Sequence, residues 1–137
     1  MLIYNAAVLH KDTPTDGDDK GWADAFAVDV LGAKARGRDR PARAGRDGCG
    51  SLLFTGGGLA LYPSPQYASL SASKAALCAC VQTFHAQPAR TGAHTTSVTI
   101  AGEIGSEAHF DLEVLAQAYL DLQHQPDSER QHELLRD

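Results

Sequence analysis

The chain has 137 residues, 43% of them hydrophobic, and its twelve Lys and Arg against seventeen Asp and Glu leave a net charge of -5. That is enough chain and enough apolar surface for one domain with a real core, and the acidic balance argues against a protein that coats nucleic acid or an anionic membrane. No run approaches the roughly 18 apolar residues a membrane helix needs. The amino terminus also lacks the basic-then-apolar plan of a signal peptide, and Cys49, Cys78 and Cys80 form no secreted-scaffold pattern, so a cytoplasmic protein with reduced thiols is expected.

The opening MLIYNAAVL is an apolar run without polar alternation and predicts a strand buried on both faces, as in a parallel sheet. HKDTPTDGDD reads as a turn-rich acidic loop. KGWADAFAVDVLGAKA places Trp22, Phe26 and Val30 at helical spacing and predicts a helix that fades soon after Gly32. Residues 34–47 hold six of the twelve basic residues, together with Gly37, Pro41 and Gly45 and no apolar side chain larger than alanine or proline. They predict a flexible basic insert, open to proteolysis at its arginines, that cannot supply a buried helical face.

SLLFTGGG is the second strand, ending in glycines that permit a sharp turn or a close approach. A helix from about Tyr67 carries small and apolar residues through Phe84, and HTTSVTI is a third, β-branched strand. DLEVLAQAYLDL sets Leu112, Leu115, Tyr119 and Leu122 along one stripe, opened by Asp111 as a cap. Residues 125–137 are polar enough to fray, although ELLR fits a short edge strand. Strands alternating with helices predict a parallel α/β sheet, in a single domain over residues 1–137.

Few of these segments carry chemistry on their own. TGGGLALYPS lacks the spacing and Lys-Ser ending of a P-loop and the complete Gly-x-Gly-x-x-Gly of a dinucleotide turn, so Gly56, Gly57 and Gly58 read as a strand-to-loop bend. The six histidines show no His-x-x-x-His pair on a helix, and Cys-x-x-Cys is missing, which argues against a metal site. The 34–47 segment has no aromatic residue for base stacking and interleaves Asp39 and Asp47, which argues against nucleic acid as its partner. Lys74, alone on a helix, would ordinarily be a solvated charge.

The surroundings of Lys74 change that reading, because they resemble the short-chain dehydrogenase/reductase family in order through most of the chain. LIYNAAV is similar to the family's fourth strand with its Asn-Ala-Gly motif, here Asn5-Ala6-Ala7. FAVDVLG is similar to the helix in which the family places a catalytic asparagine, with Asp29 at that position. GSLLFTGGG resembles the fifth strand that ends in the catalytic serine, YASLSASKAAL the Tyr-x-x-x-Lys helix, and VTIAGEIG the Pro-Gly loop over the nicotinamide.

In the family, a lysine ammonium lowers the pKa of a tyrosine phenol, ordinarily about 10, so that it exchanges a proton with the substrate oxygen. A serine thirteen residues earlier orients the carbonyl or hydroxyl. Carried over by position, the tyrosine is Leu70, the serine is Gly57, the asparagine is Asp29, and only Lys74 is retained. Tyr67 and Ser71 are the nearest substitutes for the missing proton donor. The resemblance implies NAD or NADP as cofactor, held by Asn5, Ala6, Lys74, Gly102 and Ile104, and a small-molecule carbonyl or alcohol as substrate.

The family's first three strands, with the glycine turn that receives the pyrophosphate, have no counterpart, so the expected fold is a partial Rossmann-like doubly wound parallel sheet. A homo-oligomer is compatible with the family, but the helix it uses for that interface has no apolar face in residues 34–47. The resemblance therefore implies a dehydrogenase-like protein inactive as this chain and without a bound cofactor. The rivals are a fragment of a longer dinucleotide-binding enzyme and a cofactor-free interaction module that pairs through its open sheet edge.

Overall fold

The computed structural model describes residues 1–38, 50–87 and 93–137. Its framework is a four-stranded sheet in the order β1-β2-β3-β4, from β1 (Leu2–Tyr4), β2 (Ser51–Gly57), β3 (His94–Ile100) and β4 (Glu133–Arg136), all pairs parallel. The two central strands are in register from Ser51 opposite His94 to Gly57 opposite Ile100. Every residue of β3 is buried, as expected of a β-branched strand with a neighbour on each side and a layer on each face.

Helices cover the two faces separately. On one face α3 (Ala68–Ala86) sets Leu77 and Val81 against Leu52 and Phe54, with Ala33, Leu2, Tyr4 and Phe84 completing the cluster. On the other, α4 (Leu112–His124) sets Leu115 and Leu122 against Leu53, Val98 and Ile100, with Phe110 closing one end. Alternation along β2 sends Leu52 and Phe54 to one core and Leu53 to the other. All three are fully buried, each contributing about 1.5–3 kcal/mol relative to exposure.

The helical segment before β2 departs from expectation in length. It runs as α1 (Asp19–Phe26), a π-helical turn at Ala27–Gly32, and α2 (Ala33–Arg38), so it does not fade after Gly32. Trp22, Phe26 and Val30 are only half-buried, Trp22 and Phe26 stacking on each other at 6.4 Å. The buried stripe is Gly21, Ala25, Asp29 and Ala33, one residue out of phase. Small side chains let this helix lie close to α3, and at Gly37 a Cβ would sit 2.7 Å from the Phe84 ring. Residues 34–38 therefore continue a helix through small residues rather than large apolar ones; the remainder of the basic insert, from residue 39, lies outside the described residues.

Three further expectations are corrected. β1 is three residues long and half-exposed rather than buried on both faces, because it is an edge strand and nothing among the described residues covers Ile3 on the α4 side. Leu112 is 69% exposed, since it opens α4 beyond the margin of the sheet, and Ala118 takes its place on the buried stripe. In the tail, the edge-strand reading holds over fraying. β4 pairs with β3, Leu134 packs on the core beside Val98, and Thr99 Oγ1 donates to Glu133 Oε1 at 2.5 Å.

Candidate active site at Lys74

Lys74 lies in the second turn of α3, and its position is fixed by how that helix begins. Asp12, 57 residues earlier than Ser69, is buried and accepts from the Ser69 backbone N–H with both carboxylate oxygens at 3.2 Å. Its own N–H donates to Gln66 O at 3.2 Å, which ties the acidic loop to the entry of the helix. The carboxylate satisfies an otherwise orphan donor and complements the positive end of the helix dipole.

The lysine side chain, 7% exposed, turns inward. Its Nζ stands 3.1 Å from Asp29 Oδ1 and donates to the Thr55 carbonyl at 3.3 Å. The other Asp29 oxygen accepts from Ser73 Oγ at 2.7 Å. Asp29 is fully buried, so an unpaired carboxylate there would carry a large desolvation cost, and the ammonium with the serine hydroxyl offsets it.

The π-helical turn gives Asp29 its place, since a π bulge inserts an extra residue into the helical repeat and loosens the backbone bonding around it. One carbonyl of that turn, Val28 O, accepts from the Tyr4 hydroxyl at 2.7 Å. The phenol occupies the space of a side chain at Gly32, where a Cβ would come within 1.9 Å of Tyr4 Oη. Burial first, then the negative charge of Asp29, raises the Tyr4 pKa, with Arg36 opposing. Tyr4 is thus a protonated donor that holds the bulge.

One turn before Lys74, Leu70 is buried at the position the resemblance gives to the proton donor. Gly57, at the serine position, differs from both its neighbours. A Cβ on Gly56 would meet Thr99 Oγ1 at 2.3 Å and one on Gly58 would meet the Ala101 Cα at 2.7 Å, so close strand approach requires those two glycines. A Cβ on Gly57 would meet only Lys74 Cγ, at 4.0 Å. Space for a serine therefore exists where the side chain is missing.

The two nearest substitutes are placed differently. Ser71 Oγ donates to Tyr67 O at 2.7 Å and accepts from Ser64 N–H at 3.1 Å, which commits it to the first turn of the helix. Tyr67 is the half-buried residue that precedes α3, bridged to Asp12. Of the positions assigned to a cofactor, Asn5 and Ile104 line a groove on the α4 side of the sheet, whereas Lys74 belongs to the α3 side. Ala6 is exposed, and Gly102 has the Phe110 ring over it, a Cβ there falling 2.0 Å from a ring carbon.

Sequence reasoning missed Ser73, Thr55, Tyr4 and Asp12. Only Ser73, adjacent to Lys74, offered a local signal. Cys78 and Cys80 are free thiols, and among the described residues no group of three or more His, Cys, Asp or Glu could hold a metal ion and no helix is long and apolar enough to cross a membrane.

A dinucleotide needs an anion cradle for its pyrophosphate, ordinarily a helix amino terminus with free N–H groups. Each described helix of eight or more residues already holds a carboxylate there. Asp18 accepts from Gly21 N–H at 3.0 Å, Asp12 caps α3, and Asp111 accepts from Glu113 N–H at 2.9 Å. Among the described residues, these three helix amino termini do not fit a pyrophosphate.

No protein-family model matches the chain, and no curated protein matches it. Solved structures do. A short-chain dehydrogenase from Rhodopseudomonas palustris matches with a TM-score of 0.78 at 20% identity, over 98% of this chain and 60% of that one. An alcohol dehydrogenase from Thermococcus sibiricus, complexed with 5-hydroxy-NADP, matches with a TM-score of 0.74 at 18% identity, over 98% and 60%. A 3-ketoacyl-(acyl-carrier-protein) reductase from Brucella melitensis, complexed with NADH, gives 0.74 at 16% identity, over 99% and 64%. The chain spans less than two thirds of the length of these relatives. At such identities the likeness shows the fold: a partial Rossmann-like α/β sheet of the kind found in short-chain dehydrogenases.

Proposed function

We propose that the chain is a short-chain dehydrogenase/reductase homologue whose ancestral activity was NAD(P)-dependent oxidoreduction of a carbonyl or alcohol, and that as this chain it does not turn over. One observation carries the reading: the Lys74 ammonium is held between Asp29 Oδ1 at 3.1 Å and Thr55 O at 3.3 Å, with Leu70 one turn before it and an unfilled side-chain position at Gly57. A nicotinamide cofactor, when bound, would supply or accept the hydride. The protein must supply the proton, and here no phenol stands beside the lysine.

Lys74 is engaged with Asp29 at 3.1 Å inside the fold, where breaking a buried pair is costly. Asp29 thus converts the lysine from a group that tunes a neighbour into half of a structural ion pair. Loss of a general acid alone lowers rates by about 10² to 10⁴, and the orienting hydroxyl is missing as well.

The test is a chimera in which a family amino-terminal half precedes Met1. It is expected to bind NAD(P)H yet show negligible turnover until Gly57→Ser and Leu70→Tyr are introduced together. Vigorous turnover by the unmutated chimera would contradict the reading.

A further inference from the structure

The end of the sheet opposite Lys74 gathers histidines from three elements. His85 stands in the last turn of α3, His94 opens β3, and His132 immediately precedes β4. The His85 ring lies 6.4 Å from that of His94 and 6.0 Å from that of His132, edge-on to both. They do not form a metal-ligand set.

His94 is buried and ties two segments to β3. Its Nδ1 faces Leu122 O, at the end of α4, at 3.2 Å, and its Nε2 faces Gln131 O at 3.3 Å. His85 Nδ1 stands 3.0 Å from the carbonyl of Thr95 on the same strand. The His132 carbonyl accepts from the Ser97 N–H at 3.0 Å and from Ser97 Oγ at 3.4 Å, which starts the pairing of β4 with β3. Residues 126–129 are exposed, and Gln125 and Arg130 half-buried. Polar groups around one buried histidine, rather than an apolar face, therefore hold the connection from α4 to β4.

The charges brought to bear on His94 are of one sign. α3 sets His85 against it, and the segment before β4 brings the Arg130 guanidinium, with His132 on the far side of His85. From α4 comes the Leu122 carbonyl, while His124, in the last turn, is exposed with its Nδ1 at Leu120 O. The carboxylates of the segment are exposed or committed elsewhere: Glu129 is exposed, Asp127 accepts from Arg130 Nη2 at 2.8 Å, and Glu133 accepts from Thr99 Oγ1. A charged His94 would donate to both carbonyls at once, but burial and the positive neighbours outweigh that gain. The exposed ring takes up the proton more readily, so acid favours an opening that exposes it. Freeing the connection alone needs less than global unfolding.

We propose that this histidine cluster is an acid-operated latch: with its rings neutral it holds residues 125–132 and the start of β4 against β3, and on protonation it releases them while the central strands stay paired.

The test is hydrogen-exchange mass spectrometry, with rates corrected for the intrinsic pH dependence of exchange, on peptides covering residues 125–136 and 51–57. Between about pH 7.5 and about pH 5 the first should lose protection about tenfold while the second keeps it. His94→Gln, which retains a donor and cannot be charged, should abolish the loss. His85→Gln with His132→Gln, which leaves His94 in place, should reduce it to about threefold and decides the matter if the first variant does not fold. Equal loss in both peptides, or a loss that the variants leave unchanged, would overturn the proposal.

Discussion

The two faces of the sheet handle polar groups in opposite ways. On the α3 face an aspartate, a lysine and a serine are buried together, the ammonium 3.1 Å from one carboxylate oxygen and the serine hydroxyl donating to the other, and the surrounding helices approach closely through alanine and glycine. On the α4 face the core is aliphatic, the charges stay outside, and the layer stops short of β1. The first face is closed around what resembles a catalytic frame, and the second is open where no catalytic residue is placed. The difference teaches how a lysine can be buried in a parallel α/β layer: a counter-ion beside it gives it a structural occupation.

That contrast is broken most directly at Asp29. Removing one partner of a buried pair costs about 3–5 kcal/mol, so Asp29→Ala should lower unfolding free energy by that amount in urea titrations. Asp29→Leu combined with Lys74→Met should recover most of it. A loss under about 1 kcal/mol for the single variant would mean that the pair is solvated and the lysine available.

The glycines sharpen the comparison at smaller magnitude. Gly56→Ser forces a side chain into Thr99 and should destabilise by about 1–3 kcal/mol or more. Gly57→Ser, in extended backbone with φ −151° and open space, should be neutral or stabilise by up to about 1 kcal/mol through the unfolded chain. Equal penalties at both positions would show that Gly57 is held by packing.

The smallest effect concerns His94, where β3 begins. Its Nδ1 faces Leu122 O at 3.2 Å and its Nε2 faces Gln131 O at 3.3 Å, although a neutral imidazole has a single N–H. Burial lowers its pKa, with Arg130 and His85 adding to the effect and the two carbonyls opposing it. A folded-state pKa below the unfolded value of about 6.5 means that the unfolded chain binds more protons in that window. Its contribution to stability is complete above about pH 6.5 and declines as pH falls towards the folded value. His94→Gln should flatten this slope below about pH 6.5, and an unchanged slope would assign it to other groups.

Much of the fold was legible because its signals are local. SLLFT and HTTSV announce strands by composition, and Asp111 with its apolar stripe announces α4. The length of the α1–α2 segment is not legible, because beyond Gly32 it offers no large apolar residue, whereas a helix that packs closely buries its small ones. At the site, Asp29 and Lys74 were legible only through the resemblance, 45 residues apart in sequence. Asp12 and Thr55 were not, because their roles arise when a loop and a backbone carbonyl are brought to α3 by the tertiary fold.

The central claim of the proposed function is that Lys74 serves as half of a buried ion pair and that the chain by itself does not bind a dinucleotide. Isothermal titration calorimetry of the purified chain with NADH and with NADPH tests it most directly. The account predicts no saturable heat at sub-millimolar cofactor. Micromolar binding of either nucleotide, weakened by Lys74→Met in a variant shown to be folded, would contradict it.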